Sequence, residues 1–322
     1  MRAGRLVSIT RASSHSARRL TGVIVGNDSP RDSQREASSS NTLPPYDPVK
    51  ATLNAAKSEN HAEREADPNP PAPQAPASEE AVGDESEAWC QRGLREKDKG
   101  NSTEALLWIR KSADAGYVLA QLVLAVAYQK GECGLESDHF KAFDWFLKAA
   151  QQGNAEAQYC VGMAFEEGRG AEKNPKAAVE WYRKAAKQDH AGALFEMAVN
   201  YMNETGGLKY DTEKGIVCTR KAAKLGNHQA QFNLGVMLYH GKGGVPLDEA
   251  KAVYWIRKSA DQGYDLAQTL LGLLYYHGEA SLPEDTRIAA FWLYKAADQG
   301  WGPAKEKIEL YCLSRPTNVK GA

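Results

Sequence analysis

Alanine recurs along the second part of this chain with a period too long for any single element: Ala120, Ala157, Ala193, Ala230, Ala267 and Ala304 stand 36 or 37 residues apart. Five positions after each of the first five comes a small residue, Ala125, Gly162, Ala198, Gly235 or Gly272. Three further on comes a bulky one, Tyr128, Phe165, Tyr201, Leu238 or Tyr275. Offsets of 0, +4, +5 and +8 fall on one side of a helix with 3.6 residues per turn, so the spacing predicts an amphipathic helix in every unit.

A second set of positions keeps the same step. Trp108, Trp145, Trp181, Cys218, Trp255 and Trp292 align, and a lysine follows each by three residues: Lys111, Lys148, Lys184, Lys221, Lys258 and Lys295. Seven residues ahead of each stands Asn101, Asp138, Asn174, Asp211, Asp248 or Asp285. Asn and Asp are preferred helix N-caps because their side-chain oxygen accepts from the unpaired N–H groups of the first turn, and Pro175 behind Asn174 suits the first helical position. Gly116, Gly153, Asp189, Gly226, Gly263 and Gly300 close the units, where a left-handed residue stops a helix. Each unit reads as helix, loop, helix, turn.

Packing explains the residue types. Gly162, Gly235 and Gly272 let two helix axes approach closely. The tryptophans Trp145, Trp181, Trp255 and Trp292, with the bulky slot of the first helix, are expected to fill the space around that approach. One hairpin cannot bury both of its apolar faces, so the units must stack on their neighbours.

The stretches 157–165 (AQYCVGMAF) with 181–186 (WYRKAA), and 230–235 (AQFNLG) with 255–260 (WIRKSA), resemble the Sel-1-like repeat family, relatives of the tetratricopeptide repeats. The resemblance runs over residues 86–313. It implies an all-α fold, a right-handed α/α superhelix (solenoid) of about six helical-hairpin repeats with a C-terminal capping helix. It also implies a non-catalytic adaptor that binds a partner helix, peptide or domain to organise a complex, with no catalytic residues shared across the family. First helices line the concave face in the related arrays. Carried over by position, that face is expected to present Tyr159, Met163, Phe195, Val199, Phe232, Val236, Tyr239, Leu273 and Tyr276 to a protein partner. First helices also pack on both flanks, so a core role for the same residues stays open.

The pattern bends in three places. The first unit, from Ser86, has a shorter inter-helix loop and reads as a cap, and residues 302–313 form a last helix with a charged outer face. The unit at 191–227 carries Cys218 for Trp, Gly215 for Ala, Leu194 for Gln and a loop glycine pair shifted to Gly206 and Gly207. It is expected to be the softest repeat and a hinge.

Composition divides the chain further. Of 28 aromatic residues, 27 lie after position 88, while nine of 14 prolines lie between 28 and 85. Residues 28–85 therefore lack apolar surface to offset ordering and read as a Pro-rich acidic linker, with 314–322 a flexible tail. Residues 1–27 hold five arginines and no acid, which fits either a mitochondrial transit peptide or a basic tail, so the location is mitochondrial on one reading and cytoplasmic on the other. A net charge of -1 supplies no general attraction for nucleic acid, and no run reaches the ~18 apolar residues of a membrane span. A monomer is expected.

The chemistry is sparse. There is no phosphate-binding loop, dinucleotide fingerprint or metalloprotease motif, so no catalytic residue, cofactor or metal is assigned. His240 and His277 occupy equivalent slots about 10 Å apart at ordinary helix spacing, too far to share zinc. Cys90, Cys133, Cys160, Cys218 and Cys312 are odd in number and show no repeat-phased pairing, which disfavours the competing reading of a secreted, hydrolytic or redox relative.

Overall fold

A computed structural model describes residues 80–316, with side chains from Glu85 onward. Thirteen helices and no strand occur among these residues, and twelve of them pair as hairpins. The pairs are α1 (Glu80–Asp98) with α2 (Ser102–Asp114), α3 (Val118–Lys130) with α4 (His139–Gln151), α5 (Ala155–Glu167) with α6 (Pro175–Lys187), α7 (Ala191–Asn203) with α8 (Thr212–Lys224), α9 (His228–His240) with α10 (Glu249–Asp261), and α11 (Asp265–His277) with α12 (Thr286–Asp298). The last, α13 (Gly302–Leu310), stands alone after α12. Helix α1 begins ahead of the expected boundary at Ser86, so residues 80–85 are helical and not linker. Nothing there forbids a helix, since the last preceding proline is Pro76 and acidic residues suit a helix start.

The caps follow the sequence with one exception. The carboxylate or amide oxygens of Asp138, Asn174, Asp211, Asp248 and Asp285 accept from backbone N–H groups of the following turn. Asn101 does not cap α2. Its Nδ2 donates to Glu96 Oε2 at 2.7 Å, because the short α1–α2 turn brings that carboxylate within reach. The closing residues Gly116, Gly153, Asp189, Gly226, Gly263 and Gly300 all have positive φ. At the end of four first helices a left-handed glycine serves, namely Gly131, Gly168, Gly241 and Gly278, whereas after α7 a non-glycine, Glu204, has φ 54°.

Two compact units divide between Ala193 and Leu194. In the unit ending at Ala193 the core joins Cys90, Ile109, Leu122, Leu124, Phe146 and Val161, all at 7% exposure or less. In the unit from Leu194 it joins Phe232, Val236, Ile256, Leu271, Leu274 and Trp292, with Leu293, Ala296 and Ala304 forming a second cluster under α13.

The close approach at the small slot is real, but its filler differs from the expectation. A Cβ on Gly162 would lie 2.5 Å from Tyr182 Cε1, one on Gly235 2.6 Å from Ile256 Cγ1, and one on Gly272 2.8 Å from Leu293 Cγ. These plugs sit one residue after the tryptophan. Trp145, Trp181 and Trp255 lie about 100° further round the helix and are only half-buried, while Trp292 is closed. The tryptophan rings instead carry the repeat lysines: Lys148 Nζ lies 3.6 Å from the Trp145 ring centroid and Lys184 Nζ 3.7 Å from that of Trp181.

Candidate partner-binding surface

Between the hairpins runs a ladder of glutamines. Gln121, Gln158, Gln231 and Gln268, buried one residue after the leading alanine, each donate to a carbonyl of the preceding helix: Ala113, Ala150, Ala223 and Ala260 respectively. Each also accepts from a glutamine at the end of the next second helix, with Gln152, Gln188, Gln262 and Gln299 at 2.7 to 2.9 Å. Sequence reasoning passed over these partners although their spacing of 30 or 31 residues repeats as faithfully as the alanines. In the hairpin α7–α8 both members are leucine, Leu194 and Leu225. Replacing both ends of a hydrogen bond by apolar groups avoids leaving either unpaired.

The nine residues expected to face a partner do not share one environment. Phe232, Val236 and Leu273 are 2% exposed or less and belong to the core, as do Leu122, Val126 and Thr269 at equivalent slots. They sit on the flank where a first helix meets its neighbours, so the surface reading is wrong for them. Tyr159, Met163, Phe195, Val199, Tyr239 and Tyr276 are half-buried.

Several of the half-buried rings are already engaged. The Tyr159 ring lies 4.7 Å from that of His190, tilted by 31°, and 5.8 Å from that of Tyr182, whose hydroxyl donates to Glu166 Oε2 at 2.5 Å. His190 accepts at Nδ1 from the Ala193 N–H, which leaves Nε2 to carry the proton and donate to the buried Glu156 carboxylate at 3.0 Å. An imidazole thus caps α7 where Asn154 and Asn227 cap other first helices. In the second unit the Tyr239 hydroxyl donates to Glu279 Oε2 at 2.6 Å. Tyr276 is covered by the chain itself, because Tyr311 stacks on it at 3.9 Å and 15°. Beside that stack lies a cleft of about 630 Å³, walled by Tyr276, Arg287, Tyr311, Leu313 and Arg315 among others. Arg315 is held there by Asp298 at 2.6 Å.

Burial acts on four of the five thiols. Burial pushes the Cys90 thiol up to about 12 and the Cys160 thiol well above its ordinary value, with the Glu156 carboxylate adding to the latter. Burial raises Cys133 and Cys218 as well. A protonated thiol is a poor nucleophile. His277, whose Nε2 lies 3.3 Å from the Tyr311 hydroxyl, is held below its ordinary value by burial. Among the described residues no group of three His, Cys, Asp or Glu could hold a metal ion, and no helix is long and apolar enough to cross a membrane.

Known proteins share this architecture. A Sel1 repeat protein of Oxalobacter formigenes superposes with a TM-score of 0.61 at 29% identity, covering 71% of this chain and 92% of that one. The protective antigen c5321 of uropathogenic Escherichia coli, which displays an SLR fold, gives 0.60 at 28% identity over 76% of this chain and 54% of its own. In sequence, the ERAD-associated E3 ubiquitin-protein ligase components HRD3A and HRD3B of Arabidopsis thaliana are 30% and 29% identical over 125 residues, which is 35% of this chain. The chain spans only about a fifth of the length of those two proteins. The Sel1 repeat itself matches six abutting segments, 81–117, 118–154, 155–190, 191–227, 228–264 and 265–301, whose limits fall at the hairpin turns described above. With that match covering more than half of its length, this chain belongs to the Sel1 repeat family.

Proposed function

We propose that the chain is an adaptor that grips a helix or extended segment of a protein partner through first-helix side chains, and that residues 1–27 direct it to mitochondria. Sel1 repeat proteins are in general non-catalytic interaction scaffolds. The observation that carries the finer reading is the half-open state of Tyr159 and Met163 in one unit and of Phe195 and Val199 in the other, at slots closed in other repeats, with Tyr239 half-buried as well. Partly exposed aromatic side chains on a helix are good anchors, since they offer large apolar area with few rotatable bonds, and methionine adds an adaptable apolar contact.

Photo-crosslinking tests the grip. A crosslinking amino acid placed at Met163 or Val199 should capture one defined protein in cells, and one placed at the exposed Glu136 should not. Equal capture from all three positions, or none from the first two, refutes it. The similarity to the ERAD-associated components supports a second reading, in which the same array scaffolds a ubiquitin-ligase assembly. Import into isolated mitochondria with removal of an N-terminal piece favours the first location, and recovery with endoplasmic-reticulum membranes the second.

A further inference from the structure

The end of the chain covers the last hairpin in two different ways. Helix α13 seals it, with Ala304 fully buried and Ile308 packed against the cluster of Leu293, Ala296 and Ala297. Past Leu310 the chain turns at Cys312, a non-glycine residue with φ 51°, and residues 311–316 run on as a strap in which no residue is fully buried. The strap is held by the Tyr311 ring on Tyr276, by the Tyr294 hydroxyl donating to Leu313 O at 3.1 Å, by Leu313 against the Leu293 cluster, and by Arg315 on Asp298. Both side chains of that ion pair are more than half exposed, and such pairs contribute little.

Unlike α13, the strap is not packed down. The cleft of about 630 Å³ separates it from the start of α12, where Thr286, Arg287 and Ala290 form the facing wall. A segment laid down as core leaves no such space, because protein interiors hold few voids wider than a water molecule. What the strap does place closely is one ring. Tyr311 stacks on Tyr276 at 3.9 Å and 15°, and its hydroxyl meets His277 Nε2 at 3.3 Å. A ring face beside an imidazole nitrogen suits a phenol, since stacking takes the ring and a hydrogen bond takes the hydroxyl. All of these residues lie in the unit from Leu194.

We infer that Tyr276 and His277 form a docking slot for a tyrosine side chain of a protein partner, filled in cis by Tyr311, and that the partner displaces residues 311–316 to reach it. The inference rests on the adaptor reading and adds to it one anchor and the side chain that anchor takes. With the strap down the slot is closed, so the apparent affinity for a partner tyrosine falls in proportion to the fraction of molecules whose strap is up. The left-handed turn at Cys312 and the exposed ion pair both weaken the closed state, as a displaceable cover requires.

A synthetic peptide of residues 309–316 with Cys312→Ser, titrated into the full chain carrying isotope-labelled tyrosine, tests this through the magnetic resonance signal of the Tyr276 ring. The chain with Tyr311→Ser should bind the peptide about fivefold more tightly than the unaltered chain, which matches the loss of one stacked ring pair. Arg315→Ala leaves the stack in place, loosens the far end of the strap and should give a gain of about twofold. The peptide should bind more weakly with Tyr311→Phe and not at all with Tyr311→Ser. Hydrogen exchange in α12 should stay unchanged in both chains, since α13 still covers it. Equal affinity for all three chains, binding of the peptide with Tyr311→Ser, or a Tyr276 signal that moves in no chain would overturn the slot. Loss of protection in α12 on Tyr311→Ser would make the strap a structural cap only. Concentration-dependent dimers of the unaltered chain, with a second copy's Tyr311 in the slot, would overturn the assignment in cis. No outcome depends on capture at Met163 or Val199, so the slot and the adaptor reading fail separately.

Discussion

Gly235 offers the sharpest test of how these hairpins are held. In an open helix, Gly→Ala is stabilising by up to ~1 kcal/mol, because alanine gives up less backbone freedom on ordering. At position 235 the new methyl would lie 2.6 Å from Ile256 Cγ1 and 3.1 Å from both Ala252 O and Ile256 N. Two of those three atoms are backbone, and Ile256 and Ala252 are fully buried, so neither helix can yield without shifting as a whole. Overpacking of this kind costs about 1 to 3 kcal/mol, which outweighs the propensity gain. Gly235→Ala should therefore lower stability by roughly 1 to 2 kcal/mol net. Gly302→Ala, in a helical position with nothing within 4 Å, should be neutral or stabilising.

Ile256→Ala alone removes the plug and should cost about 2 to 5 kcal/mol, and in the double variant the alanine methyl refills part of the hole. The cycle should show coupling of about 1 kcal/mol or more in the restoring direction. Repeat arrays need not unfold in one step, so amide hydrogen exchange in α9 and α10 is the suitable assay alongside thermal melting. Gly235→Ala as stabilising as Gly302→Ala, with additive behaviour in the cycle, would refute the close approach.

Three further outcomes are expected. Glu204→Gly relieves the left-handed residue after α7 and should slow hydrogen exchange in the 191–227 repeat by up to about tenfold, matching strain of about 1 kcal/mol; protection already equal across all repeats would remove the notion that this one is soft. Gln231→Ala deletes two hydrogen bonds of a buried amide and should destabilise by about 2 to 3 kcal/mol, whereas Gln231→Leu with Gln262→Leu, which copies the Leu194 and Leu225 pair, should cost less than about 1 kcal/mol in chemical denaturation. Burial against Tyr264 holds His228 below its ordinary value, so its stabilising contribution is complete above the unfolded value near 6.5 and is lost as pH falls below that through the folded one. The melting temperature should fall from pH 7 to 5, and His228→Phe should flatten that slope; an unchanged slope counts against the assignment.

The repeat phase, the six-hairpin count, the left-handed closing residues and every second-helix cap but Asn101 were legible in the sequence. They depend on local rules, since a cap needs only its own turn and a period needs only residue spacing. The start of α1 was misplaced because a charged, weakly apolar turn is helical only when the hairpin it joins supports it.

What tertiary structure alone decided was the outcome of competition for each helix flank. Tryptophan looked like the plug by size, but the residue after it points at the small slot, and the rings of Trp145 and Trp181 are left half-open under their lysines. Phe232 and Tyr239 sit on one first helix two turns apart, yet the first is sealed and the second reaches Glu279. Tyr276 resembles Tyr239 in sequence and differs because the end of the chain returns to stack Tyr311 upon it. Periodicity specifies which way a side chain points; whether another chain segment arrives to cover it is a fact of the three-dimensional path, and no local pattern encodes it.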